Sequence, residues 1–86
     1  MTYTVVFSRE AQRNLNKLPI KIVDQVLPFI SDVLATDPRR IGKPLVGELA
    51  GLWSARRTTF RIVYRIDEGR VLIEIVRVAH RADVYR

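Results

Sequence analysis

The spacing of apolar positions changes period twice along this chain, and each change marks a new kind of element. Tyr3–Phe7 alternates and is rich in aromatic and β-branched residues, which predicts a strand. Ser8 is a good N-cap, and Arg9–Leu18 then places Ala11, Leu15 and Leu18 on one helical face. Pro19 ends that helix and suits the first turn of another. Ile20–Ala35 carries Val23, Val26, Leu27, Ile30 and Leu34 at helical spacing, with a kink expected at Pro28. Thr36-Asp37-Pro38 stops the helix. Arg39–Gly51 contains Gly42, Pro44, Gly47 and Gly51 and reads as a loop with at most one short turn. Period 2 then returns. Leu52–Thr58 and Thr59–Asp67 read as strands joined by a tight turn at Thr58-Thr59. Asp67-Glu68-Gly69 turns into Arg70–Ala79, with Gly69 suited to a positive φ. His80–Arg86 is a short tail with room for one helical turn. The order β-α-α-β-β-β predicts an α+β fold: an antiparallel sheet with a helical hairpin packed on one face. The opposite face is left to a partner.

Strand periodicity assigns the side chains to these faces. Phe60, Ile62, Tyr64 and Ile66 point toward the helices, so Arg61, Val63 and Arg65 point away. Trp53 and Ala55 belong with the core, which turns Ser54 and Arg56 to the open side. Arg57 then falls on the core side and needs a strand end where its head reaches water. Guanidinium groups on a sheet suit phosphate, because each offers a planar fork of donors that stays charged. Exposed arginines are often matched by cross-strand carboxylates, but only Glu74, Asp67 and Glu68 are near enough in sequence to serve.

Composition sharpens this picture. A chain of 86 residues with 48% hydrophobic content makes one domain, spanning 1–86, with a modest core. It has no cysteine and one histidine, which excludes disulfides, thiolate catalysis and the usual zinc sites; no cofactor or metal is expected. No apolar run approaches the roughly 18–20 residues of a membrane span. The opening segment lacks the basic region of a signal peptide, so a cytoplasmic protein is expected. Net charge is +6, and all of the excess lies in residues 39–86, with eleven basic and five acidic groups. A basic half on a small domain points to a polyanionic partner.

Two segments together, KPLVGELAGLWSARRTTFRIVYRI and VAHRADVY, resemble the RelE branch of the RelE/ParE superfamily, the toxins of type II toxin–antitoxin pairs. The resemblance extends to the opening strand and the helical hairpin with its Leu-Pro junction. It implies a fold like that of small microbial ribonucleases and a metal-independent endoribonuclease that cuts mRNA in the ribosomal A site. The ribose 2′-OH would attack the adjacent phosphate, leaving a 2′,3′-cyclic phosphate and a 5′-OH. Carried over by position, Arg61 matches the phosphate-binding arginine, Arg81 the arginine assigned to leaving-group or phosphate stabilisation, and Tyr85 the tyrosine that stacks on or orients the substrate. Arg56 falls where the best-known member has a lysine. A guanidinium scarcely deprotonates, so proton removal falls to His80, water or a ribosomal group, with His80 preferred. Arg57, Arg65, Lys43 and Ser54 complete the expected RNA contacts, Ser54 standing where that member has a second lysine. The chain ends at Arg86, so no long helix is expected after Tyr85.

The implied partner is an acidic, RelB-like antitoxin, with a toxin–antitoxin heterotetramer as the assembly. Two alternatives keep the fold and change the function. One is a ParE-like inhibitor of DNA gyrase, and the other is a degenerate domain that binds its antitoxin without cleaving anything.

Overall fold

Ser8 fixes the first transition of the chain. Its Oγ accepts from the Ala11 N–H at 3.0 Å and caps α1 (Arg9–Lys17) directly after β1 (Thr4–Phe7). In the computed structural model, which describes residues 2–80, α1 stops as expected at the Leu18-Pro19 junction. The Pro19 carbonyl then accepts from Ile22 and Val23 at 2.9 and 3.1 Å and starts α2 (Ile20–Asp32). α2 runs on through Pro28, whose ring nitrogen leaves the Asp24 carbonyl without its helical donor. It ends three residues earlier than its apolar pattern suggests. A 3₁₀ turn, Leu34–Thr36, carries the pattern on, and α3 (Pro38–Ile41) adds one more turn.

Four further strands follow: β2 (Lys43–Pro44), β3 (Trp53–Arg57), β4 (Phe60–Asp67) and β5 (Leu72–His80). The sheet order is β1-β5-β4-β3-β2. β2 to β5 are antiparallel, as short connections require. Two features depart from the expected antiparallel sheet. β1 pairs with β5 in parallel, so the sheet is mixed, and the segment read as loop contributes β2 as a second edge. The turn before β5 also differs: Val71 takes the positive φ of +50°, and Gly69 does not.

The helices cover one face only. Ala11, Val26, Ile30 and Leu34 pack against Ala55, Ile62, Tyr64, Ile73, Ile75 and Val78, which is the face assignment that strand period predicts for β3 and β4. In β5 the phase breaks. Val63 pairs with Arg77 but Tyr64 pairs with Ile75, so Val76 is an extra residue and the ladder carries a bulge. β1 ends opposite Ile75, and side chains from the start of the helical hairpin take over where it stops. Ser8 Oγ donates to the Val76 carbonyl at 2.7 Å, and Asn14 Oδ1 accepts from the Val78 N–H at 3.0 Å. Glu10 accepts from Arg77 Nε at 2.6 Å.

One close approach joins β2 and α3 to the sheet. Tyr64 is fully buried, and its hydroxyl donates to the Pro38 carbonyl. Gly42 lies directly against it. A Cβ there would collide with Tyr64 Oη and stand 2.9 Å from the Ser54 carbonyl oxygen. Gly42→Ala is therefore expected to destabilise the fold by about 1–3 kcal/mol. Tyr64→Phe in the same chain should recover part of that loss, because the hydroxyl is the first atom in the way. Denaturant midpoints of the two single variants and the double check this; strict additivity would show that the two positions do not touch.

Burial also raises the Tyr64 pKa above its usual value of 10.0, with a hydrogen bond from the Gly42 backbone acting in the opposite direction. The folded state thus favours the neutral phenol. Its contribution is complete below pH 10.0, the unfolded value, and is lost as pH rises toward the higher folded value. Wild type should lose stability relative to Tyr64→Phe above about pH 10, by up to about 1.4 kcal/mol per pH unit. Parallel alkaline denaturation curves would remove Tyr64 from this account.

Candidate nucleic-acid interface

The β3–β4 hairpin builds the site. Arg57 and Phe60 close a two-residue turn, so Arg56 and Arg61 become the next pair in the ladder, directly opposite one another. The turn places Thr58 at φ +54°, an unusual conformation for a β-branched residue, with its hydroxyl on the Arg57 carbonyl at 2.7 Å. Two guanidinium groups across a strand pair repel, and carboxylates of like position would normally relieve this. Here the next pairs along the same face are Ser54 with Val63, and Lys43 of β2 with Ser54.

These residues surround an open depression of about 590 Å³. Lys43, Arg56 and Arg61 supply its charge, and Ile41, Pro44 and Leu45 form an aliphatic wall. No carboxylate of the described residues lines it. Ser54 lies at its floor and is only 8% exposed. Its hydroxyl makes no hydrogen bond with the described residues. The arrangement can hold an anionic, hydroxyl-bearing ligand: three cations for charge, the Ser54 hydroxyl for a polar contact, and an apolar side for a ring.

The site unites Lys43, Ser54, Arg56 and Arg61 and separates the other candidates. Arg65 lies at the far end of the same face, paired with Glu74 at 3.3 Å. Arg57 is on the helix side, its guanidinium 5.9 Å from the Phe29 ring centre. His80 pairs with Phe60 and meets its ring edge-on at 5.6 Å. That register puts His80 on the side of the sheet opposite Arg56 and Arg61, which corrects the expectation that it stands beside them. Arg81 and Tyr85 lie outside the described residues.

The face itself is less open than expected. Leu45, Leu49 and Leu52 fold over its middle and enclose a cavity of about 60 Å³ with Val63 and Val76. The loop closes through a Leu45 N–H to Leu52 carbonyl bond of 2.8 Å, and Gly47 and Gly51 provide its positive φ values of +68° and +96°. Sequence reasoning passed over Arg77, which shares this face with Val63, and over the aliphatic wall. The bulge hides the first from period-2 reading. The second depends on a two-residue strand with no periodicity to detect. Among the described residues no three potential ligands cluster as a metal site, and no helix is long and apolar enough to cross a membrane.

The small mixed sheet with a helical hairpin on one face is the α+β fold of RelE-like toxins. A model of the family described as the ParE toxin of the type II toxin–antitoxin system parDE matches residues 5–85, and the chain belongs to this family, within the RelE/ParE superfamily. It is 51% identical to Toxin RelG of Mycobacterium tuberculosis over 86 residues, covering 100% of this chain and 99% of that one. It is 43% identical to Toxin RelE of the same organism over 84 residues, covering 98% and 87% respectively. Its fold matches the toxin in the crystal structure of the M. tuberculosis RelBE2 toxin–antitoxin complex with a TM-score of 0.91. Identity there is 48%, over 94% of this chain and 100% of that one. The protein is thus a type II toxin of the RelE type.

The opposed arginines give this site a measurable signature. Arg56→Glu should convert the repulsive pair into an attractive one, leaving the fold as stable or more stable by about 0.2–1 kcal/mol. The same change should abolish binding to single-stranded RNA. Thermal unfolding and a fluorescence titration test both parts; a destabilised variant that still binds RNA would refute the assignment.

Proposed function

We propose that this toxin is an mRNA endonuclease that acts on translating ribosomes. The observation that carries the reading is the basic depression in which Arg56 and Arg61 stand opposite each other beside Lys43 and Ser54, with no carboxylate of the described residues in its lining. Such a set is built for phosphate and for the extra negative charge a phosphate gains in a transition state. The names of the two mycobacterial relatives, RelG and RelE, support the same reading.

In this reaction the 2′ oxygen attacks phosphorus as its proton is removed, and the bond from phosphorus to the 5′ oxygen breaks. The products are a 2′,3′-cyclic phosphate and a 5′-OH, and the departing 5′ oxygen takes up a proton. Arg61 and Arg56 hold the non-bridging oxygens. Lys43 adds charge, and Ser54 donates to the phosphate or ribose. Arg81 assists the leaving oxygen and Tyr85 orients the base, roles assigned by family likeness. The pairing of His80 with Phe60, on the sheet side opposite Arg56 and Arg61, favours water or the ribosome as the base over His80. The steps use only proton transfer and charge stabilisation, and the proposal includes no metal. DNA, which lacks the 2′-OH, is not a substrate.

The toxin of the RelBE2 complex is held by its antitoxin. By that likeness this chain also pairs with an acidic antitoxin, in a heterotetramer built through antitoxin dimers. Its net charge of +6 would hasten the encounter.

The test is a reconstituted translation mixture in which new mRNA 3′ ends are mapped. Wild type should cut inside codons, leave cyclic phosphate ends, and spare mRNA when ribosomes are omitted. Arg61→Ala should slow single-turnover cleavage by about 10²–10³-fold, and His80→Ala by less than about threefold. The ParE description of the family supports one rival, inhibition of DNA gyrase. Intact mRNA together with blocked gyrase supercoiling would move the assignment there.

A further inference from the structure

The tip of the β3–β4 hairpin carries a hydroxyl that the RNA site does not use. Arg57 and Phe60 close the turn, and Thr58 and Thr59 form its exposed end. The two threonines differ. Thr58 stands at φ +54°, and its hydroxyl is held on the Arg57 carbonyl at 2.7 Å. The Thr59 hydroxyl makes no hydrogen bond with the described residues, so its oxygen is available as a nucleophile. Arg56 and Arg57, both exposed, lie three and two residues ahead of it. No other exposed hydroxyl of the described residues outside this turn has such a flank. Thr2, Thr4, Ser31 and Thr36 have no basic residue in the three positions before them. Ser31 and Thr36 are also tied to the carbonyls of Pro28 and Val33. Two guanidinium groups ahead of an available hydroxyl suit an enzyme that grips its substrate through carboxylates, which arginine matches in pairs.

The same hairpin supplies a receptor for the product. Arg61 lies two residues beyond Thr59, about 6–7 Å along an extended chain, and Arg56 stands opposite Arg61. Phe60, between Thr59 and Arg61, is buried on the helix side, so alternation puts its two neighbours on the other side. A phosphothreonine carries about −1.5 to −2 charge at pH 7 and three strong acceptor oxygens. Formed at Thr59, it would meet the opposed guanidinium groups from within the chain.

We propose that Thr59 is the phosphorylation site of a basophilic protein kinase, and that its phosphate occupies the Arg56–Arg61 pair and closes the site to RNA. The kinase brings a nucleoside triphosphate as its magnesium complex. Thr59 Oγ attacks the γ-phosphorus, and the bond from that phosphorus to the β–γ bridging oxygen breaks. The hydroxyl proton passes to a base of the kinase, and the nucleoside diphosphate departs. The inhibitory half of the proposal rests on the depression being a phosphate site.

The test treats the full chain with the catalytic subunit of a cyclic-nucleotide-dependent kinase and magnesium ATP. Phosphate should enter at Thr59, and Thr59→Ala should take up none while binding single-stranded RNA as wild type does. The modified toxin, purified by ion exchange, should bind RNA at least about tenfold more weakly. Its slope of log affinity on log salt should flatten by about 1.4, the loss of two phosphate contacts. Its Tm should rise by about 2–4 °C as the arginine pair is neutralised. A phosphatase should restore both values. No label, or label at another residue, would overturn the proposal. So would a modified toxin whose RNA affinity stays within twofold of the unmodified one. A wild type that binds no RNA would overturn the inhibitory half together with the reading of the depression. Failure of the nuclease reading is distinct: mRNA would stay intact on ribosomes while labelling and RNA titration behaved as expected.

Discussion

The contact between Tyr64 and Gly42 holds together the part of the protein that matters most. Tyr64 belongs to β4, its hydroxyl reaches the Pro38 carbonyl of α3, and its ring end fills the space that a side chain at Gly42 would need. Gly42 in turn precedes Lys43 and sits against the Ser54 carbonyl of β3. One phenol thereby sets the distance between the short edge strand and the hairpin. Without it Lys43 and the aliphatic wall would be held to Arg56 and Arg61 only by the two-residue β2–β3 ladder and the Leu45–Leu52 bond. A two-residue strand ending in proline has little pairing energy of its own, so its position is borrowed from this packing.

The same logic explains which parts of the structure could be read from the chain. β3 and β4 have regular ladders, and simple alternation placed Ser54, Arg56 and Arg61 on one face and Ala55, Ile62 and Tyr64 on the other. Alternation failed at β5 because the bulge at Val76 reverses the phase. Arg77 and His80 consequently sit on faces that no count from Leu72 predicts. β2 was invisible because two residues carry no period. Arg65 is chemically identical to Arg61, and only the register reveals that Glu74 stands opposite it. The positive φ at Val71 in place of Gly69 shows the limit of composition: the turn geometry, set by Arg70 bonding back to Asp67, decided which residue bears the strain.

The site also runs against the stability of its own hairpin. Arg56 opposes Arg61, and the turn beyond them puts a β-branched threonine at positive φ. Both features are unfavourable locally, and the buried cluster beneath Ala55 and Ile62 must offset them. A chain selected for stability alone would place a carboxylate at one position and glycine at the other. An opposed arginine pair and a threonine at positive φ, beside the Ser54 side chain of the depression, mark the hairpin as arranged for a ligand.

The strand order gives the sheet a second property, that of a ruler. Adjacent strands lie about 4.8 Å apart, so β1 stands roughly 10–19 Å from the strands β4, β3 and β2 that frame the basic depression. A polypeptide fixed at one edge spans that gap with about three to six extended residues, or about seven to thirteen helical ones. Below that length a bound chain would grip the toxin yet leave its cationic surface bare. Above it, one continuous segment would both hold and silence it. The width of a five-stranded sheet thus sets a minimum length for any inhibitor that works from the far edge.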